Sequence, residues 1–321
     1  MFSEMPMTQE DKATAQNTEP QAEEIPNTRR KVFFGLFVFP MLIAVTMAVL
    51  LSAIVLLTHE DETPESLVTA IKTGAPSKRW QKAYELSNEL NRPAAIIRGG
   101  GMMNEVIHIL NDKDHYDAKT RAYMAMALSR FKTPEAEEAL LKALSEVTDT
   151  EDPKLALFLL WATGSFEHPE SSSEVTRFLS STHDDLRKTA AYVLGVLGDQ
   201  KVIPELERSL EDAQPDVRWN AALSLARLGS DSGWKVLAQM MDRNYFSQFR
   251  QSMNEQEVEQ VMTNAAKGLG LIHRPETQAV LEHVSKTDSN LKVRQAALSA
   301  LEQPSLRGGV PGKAEAISNP A

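Results

Sequence analysis

Seven histidines, four arginines at recurring positions, one glycine run and one knot of aromatics are the places where this 321-residue chain could do chemistry. It has no cysteine, which excludes disulfide frameworks, cysteine-ligated zinc, iron–sulfur clusters and thiol catalysis. A metal site assembled across repeated helices needs histidine–carboxylate pairs that recur. Only His59-Glu60 forms that dipeptide, while His108, His168, His183, His273 and His283 lack a repeated carboxylate neighbour. Arg98-Gly99-Gly100-Gly101 could suggest a phosphate cradle, yet no Gly-Lys-Ser/Thr follows and no strand precedes it, so it reads as a break between helices. No Gly-x-Ser-x-Gly nucleophile elbow occurs. The chain therefore reads as a non-enzyme with no catalytic residue, metal or cofactor. Its 34 Lys+Arg against 44 Asp+Glu, a net charge of −10, argue against nucleic acid as a partner.

Two arginine-bearing features remain. Arg121, Arg187, Arg218 and Arg294 recur in similar surroundings and are either an anion-binding ladder or structural bonds. The stretch DRNYFSQFRQSMN, between Met241 and Glu255, gathers Arg243, Tyr245, Phe246, Phe249 and Arg250. Aromatics beside arginines are the residue types enriched in binding hot spots, so these five are the candidate partner-binding residues. The alternative is that Tyr245, Phe246 and Phe249 extend a helix and pack into a neighbouring one.

The elements that would position these residues come from a self-comparison. His183–Leu210 and Gln214–Met241 superpose at a constant offset of 31 residues: Leu186-Arg187 on Val217-Arg218, Ala190-Ala191 on Ala221-Ala222, Leu197-Gly198 on Leu228-Gly229. Weaker copies begin near Pro76, Asp117, Asp152, Glu255 and Asn290. Val217, Ala221, Leu225 and Leu228 give one broad apolar helical face. Gly198 and Gly229 sit where a helix must stop in a left-handed conformation, and a second amphipathic helix then returns. One such pair cannot bury both faces, whereas stacked pairs can.

The D-x-V-R-x-x-A-A-x-x-L-x-x-L-G pattern around Asp216–Gly229 resembles HEAT repeats of the short bacterial kind also found in bilin lyases. The resemblance spans residues 63–302 and implies an all-α fold, an α-solenoid of helix pairs. It implies structural roles for the four arginines, bonded to acidic groups of the adjoining repeat, and a scaffold that binds proteins. The competing expectation is a solenoid enzyme of lyase or hydroxylase type holding a metal or tetrapyrrole.

Ahead of the repeats, residues 1–31 form an acidic tail closed by a basic stop. In it Glu4, Glu10, Asp11, Glu19, Glu23 and Glu24 face Lys12 alone until Arg29-Arg30-Lys31, a composition that does not support folding. Residues 32–58 hold no charge. The 26 residues from Val32 to Leu57 would make about 39 Å of helix, against a hydrocarbon core of about 30 Å. This predicts a single transmembrane helix with a modest kink at Pro40. The run is too long for a cleaved signal peptide. Arg29, Arg30 and Lys31 before it and His59-Glu60-Asp61-Glu62 after it place the tail in the cytoplasm and the solenoid across the membrane, in the periplasm of a Gram-negative cell. Expected partners are the bilayer, through residues 32–58, and membrane or envelope proteins. Residues 303–321 read as a flexible tail.

Overall fold

The computed structural model describes residues 33–58, 63–92, 100–148, 150–249 and 253–302. The expected tails, the basic stop Arg29-Arg30-Lys31, His59-Glu60 and Arg250 lie outside them. The chain divides into two units, residues 1–61 and 62–321.

In the first unit, a π-helical turn (Phe34–Val38) runs into α1 (Phe39–Thr58). Residues 34–54 have a mean hydropathy of 2.5, and none of the apolar stretch is buried against other parts of the protein. Pro40, the second residue of α1, has no N–H and cannot make the normal bond one turn back. The turn before it is widened, with the Phe39 N–H bonded to the Phe34 carbonyl five residues earlier. The irregularity expected at the proline is thus a π-turn just ahead of it.

In the second unit the described residues form helices and no strands. In chain order the α-helices are α2 (Pro64–Thr73), α3 (Arg79–Asn91), α4 (Gly100–Asn111), α5 (Ala118–Leu128), α6 (Pro134–Glu146), α7 (Pro153–Gly164) and α8 (Ser172–Thr176). They continue as α9 (Asp184–Leu197), α10 (Ile203–Ser209), α11 (Pro215–Arg227), α12 (Trp234–Gln239), α13 (Glu255–Gly270), α14 (Pro275–Thr287) and α15 (Leu291–Glu302). The odd-numbered helices from α3 to α15 each pack on the next and form one layer. The even-numbered helices return between them as a second, sparser layer in which α8, α10 and α12 have only five to seven residues. This is the α-solenoid that the repeat pattern predicts.

Local chemistry sets the helix ends. Proline opens α2, α6, α7, α11 and α14, where its fixed φ suits the helix and its missing N–H would be unpaired anyway. Thr63, Asp117, Thr133 and Asn254 cap the first turns of α2, α5, α6 and α13 through their side chains. Gly198 and Gly229 follow α9 and α11 with φ of 79° and 82°, as their spacing predicts.

The buried apolar side chains form two clusters, one from Leu67 to Leu228 and one from Trp219 to Ala300. They meet on α11, which gives Ala221 and Leu225, with Leu228 just beyond its end, to the first and Trp219, Ala222 and Ala226 to the second. Small residues let the odd helices approach closely. A Cβ built on Gly195 of α9 would lie 2.2 Å from the Ser224 Oγ and 2.7 Å from the Ser224 Cα on α11. The Ser224 hydroxyl donates to the Ala191 carbonyl at 2.7 Å across the same contact. Gly195→Ala therefore forces two backbones apart and is expected to cost about 1–3 kcal/mol. Gly101→Ala, where nothing lies within 4 Å, should instead gain about 0.5–1 kcal/mol. Urea titrations followed by circular dichroism check the pair, and equal effects would refute the close-approach argument.

Candidate functional site

Of the four recurring arginines, Arg187 alone among the described residues pairs with an acidic group of the adjoining repeat, Asp212, while all four bind backbone carbonyls ahead of their own helices. Arg187 donates from Nη1 to the Ser181 carbonyl at 2.9 Å, Arg218 to the Asp212 and Ala213 carbonyls at 2.7 and 3.0 Å, and Arg294 to the Asp288 and Ser289 carbonyls at 2.7 and 3.3 Å. In all three the guanidinium satisfies carbonyls five and six residues earlier, in the loop entering its own helix. Arg121, buried at 8% exposure, makes a related bond from Nε to the Leu110 carbonyl at 2.7 Å.

An aspartate links these arginines across repeats. Asp212 accepts two bonds from Arg187, at 2.7 and 3.1 Å, and a third from the Gln214 N–H at 2.8 Å. Burial pushes the Asp212 carboxyl up, but the Arg187 and Gln214 bonds and the charges of Arg187 and Arg218 outweigh it and hold the group below its ordinary value. Asp288 repeats the arrangement, accepting from the Asn290 N–H at 2.8 Å. Its arginine, however, comes from the insert: Arg243 donates to it at 2.7 and 2.9 Å and also pairs with Glu255. The reason lies in α13. Aligned on Ala265-Ala266 with Ala221-Ala222, α13 carries the buried Met262 where a ladder arginine would stand. Glu259, about one turn earlier on α13, accepts from the Asn290 side chain.

The insert's aromatics turn inward. Phe246 is only 4% exposed, and Tyr245 and Phe249 are partly buried against the second core cluster. All three rings stand edge-on to Trp219, with centroids 5.8–6.4 Å away. Of the candidate partner-binding residues, Arg243 pairs with Asp288 and Tyr245, Phe246 and Phe249 pack against the second core cluster, the arrangement of the alternative reading. Of the topology residues, Pro40 alone lies within the described residues.

Two features escape the linear reading. His168 reaches Glu137 at 2.5 Å, and the Ser171 hydroxyl donates to the same carboxylate at 2.6 Å. They line one side of a groove of about 610 Å³ that also carries Glu138, Glu170 and Glu174. Among the described residues no group of three or more histidines and carboxylates is placed to hold a metal ion. On the other layer, rings of successive odd helices touch: Tyr84 on Tyr123 at 5.3 Å, Tyr123 on Phe158 at 5.5 Å and Trp161 on Tyr192 at 5.1 Å. The signal in the sequence is a lysine four residues before an aromatic, at Lys119/Tyr123, Lys154/Phe158 and Lys188/Tyr192.

Two layers of antiparallel helix pairs, fastened repeat to repeat by arginine, define an α-solenoid. More narrowly, the family model described as HEAT repeats matches residues 104–191, 142–226 and 175–256. No curated protein matches the chain. Among solved structures, it is similar to the CpcE–CpcF complex of phycocyanin lyase from Nostoc sp. PCC7120, with TM-score 0.50 and 13% identity over 76% of this chain and 96% of that one. That likeness shows the fold. Escherichia coli YibA has TM-score 0.48, 14% identity and coverage of 75% and 93%. Human deoxyhypusine hydroxylase has TM-score 0.34, 16% identity and coverage of 74% and 94%.

Because the carboxyls of Asp212 and Asp288 are held low in the folded chain, their pairing stabilises it above the unfolded value of about 3.9 and fades as pH falls through the lowered folded value. Arg243→Ala leaves Asp288, with its side chain 4% exposed, without its cation. It should cost about 1–3 kcal/mol at pH 7 and much less once the pH falls below the lowered folded value of Asp288. Denaturant melts at both pH values decide this, and an equal loss at both would show that Arg243 acts by packing alone.

Proposed function

We propose that this protein is a non-enzymatic scaffold, anchored in a bacterial membrane by α1 and presenting its HEAT-type solenoid to protein partners in the cell envelope. The observation that carries the reading is the combination within one chain of an unburied apolar helix long enough to cross a bilayer and a solenoid. Solenoids expose a large surface relative to their core and act through it. A membrane tether raises the local concentration of that surface near membrane-bound partners. The basic Arg29-Arg30-Lys31 before the helix and the acidic Glu60-Asp61-Glu62 after it support an amino terminus in the cytoplasm and a solenoid outside.

Spheroplast proteolysis tests the arrangement. A carboxyl-terminal epitope should be digested from outside while an amino-terminal epitope survives, and alkaline carbonate should leave the full-length chain in the membrane. A protected carboxyl-terminal epitope would overturn the orientation, and a shortened chain in the soluble fraction would overturn the anchor. The rival reading, a lyase- or hydroxylase-type solenoid, predicts a metal or visible chromophore in one-to-one ratio with the purified chain. Metal analysis and an absorption spectrum should find neither.

A further inference from the structure

The aromatic row on the odd-numbered layer is built unlike an ordinary solvated helix face. Tyr84 is 47% and Trp161 36% exposed, while Tyr123, Phe158 and Tyr192 are half-buried beside them. The rings come from four successive odd helices, α3 to α9, and Phe158 and Trp161 join the two stacks one turn apart on α7. At the far end Arg227 of α11 lies over the Tyr192 ring at 5.2 Å. Its guanidinium has no carboxylate partner among the described residues, and its Nη1 is buried without a hydrogen bond. Burial pulls its pKa below the ordinary value, with the Tyr192 hydroxyl acting the other way. A desolvated cation left unpaired is costly, and an incoming anion would relieve that cost.

A second regularity runs beside the rings. On α5, α7 and α9 a lysine stands four residues before the aromatic, so ammonium and ring share a face one turn apart. Lys119 covers the Trp80 ring at 3.1 Å and Lys188 pairs with Asp185 at 2.9 Å. Lys154 is exposed, with no ion pair among the described residues. The even layer has the opposite character, for its groove is lined by four glutamates.

We propose that this row binds an extended acidic segment of a partner polypeptide, its carboxylates over Lys154 and Arg227 and its apolar side chains on the rings. The inference rests on the scaffold reading and names the chemistry of the partner. Discrete carboxylates suit this face better than a continuous phosphate backbone, because Asp184, Asp185 and Asp216 lie at the starts of α9 and α11 in the same layer.

The test uses the full chain in detergent micelles and a fluorescein-labelled 20-residue peptide of Glu-Leu-Asp-Ser repeats. Lys-Leu-Lys-Ser and Gln-Leu-Asn-Ser peptides and a thymidine 20-mer serve as comparators. The acidic peptide should bind in the micromolar range, change the Trp161 emission and weaken with salt. Arg227→Gln and Lys154→Glu should each weaken it by about 5–10-fold, in keeping with the loss of one charge-assisted contact, whereas Glu138→Gln on the even layer should leave it unchanged. Lys154 is exposed and unpaired, so its variant tests the site even if Arg227→Gln unfolds. Binding no tighter than the neutral peptide, preference for the basic peptide, displacement by the thymidine 20-mer, or indifference to Lys154→Glu overturns the proposal. If envelope proteins still crosslink to the Lys154→Glu chain as to the wild type while the acidic peptide fails, the scaffold reading survives without this site. Stoichiometric metal or chromophore in a chain that binds the peptide overturns the scaffold reading instead.

Discussion

Close contact between odd-numbered helices one repeat apart is the constraint from which the rest of the solenoid follows. Ala190, Ala191, Ala221, Ala222, Ala265, Ala266 and Ala297 are all fully buried in that layer. Gly195 and Gly270 sit where even a methyl group would collide with Ser224 or Ala300 on the next odd helix. Small side chains give up buried area per residue, so the layer gains stability from the number of close contacts rather than from bulky groups. Larger residues such as Leu194, Leu225 and Leu237 then fill the space between layers. With the spacing set this way, each loop returns at the same place and the arginine–aspartate bonds can recur.

Those bonds explain why an irregular insert belongs to a regular array. Asp212 and Asp288 occupy equivalent loop positions and bind the arginine of their own repeat through backbone carbonyls and another arginine through the carboxylate. α13 has Met262 where a ladder arginine would stand, and Arg243 reaches across from the insert to pair with Asp288. The aromatic knot on Trp219 closes the joint beside it. The departure from period therefore repairs the array.

Much of this was legible from residue types. The seven odd helices start where the repeat copies start, and the two glycines at positive φ stand where the pattern stops. The short helices α8, α10 and α12 are harder to read, because five to seven residues carry too little periodicity. Lys132 and Glu167 adopt positive φ after α5 and α7, where the degenerate copies lack glycine, and nothing in their side chains announces it. Tyr245, Phe246 and Phe249 misdirect because aromatics beside arginines suit a hot spot and a buried joint equally well. The ring row was missed for another reason: its spacing is uneven, matching the repeat offset only from Trp161 to Tyr192, and only the fold brings Tyr84, Tyr123 and Phe158 together.

The splitting of the buried side chains on α11 has a mechanical consequence. One helix offers opposite faces to two separate apolar masses, so the array is not a uniform spring. Nearest-neighbour coupling makes each mass a cooperative block, and tension applied from the carboxyl end falls first on the smaller block, held to the remainder chiefly through α11 and by Leu210, which packs on both. A pulled molecule would lengthen in two unequal jumps, a built-in slack released without surrendering its larger half.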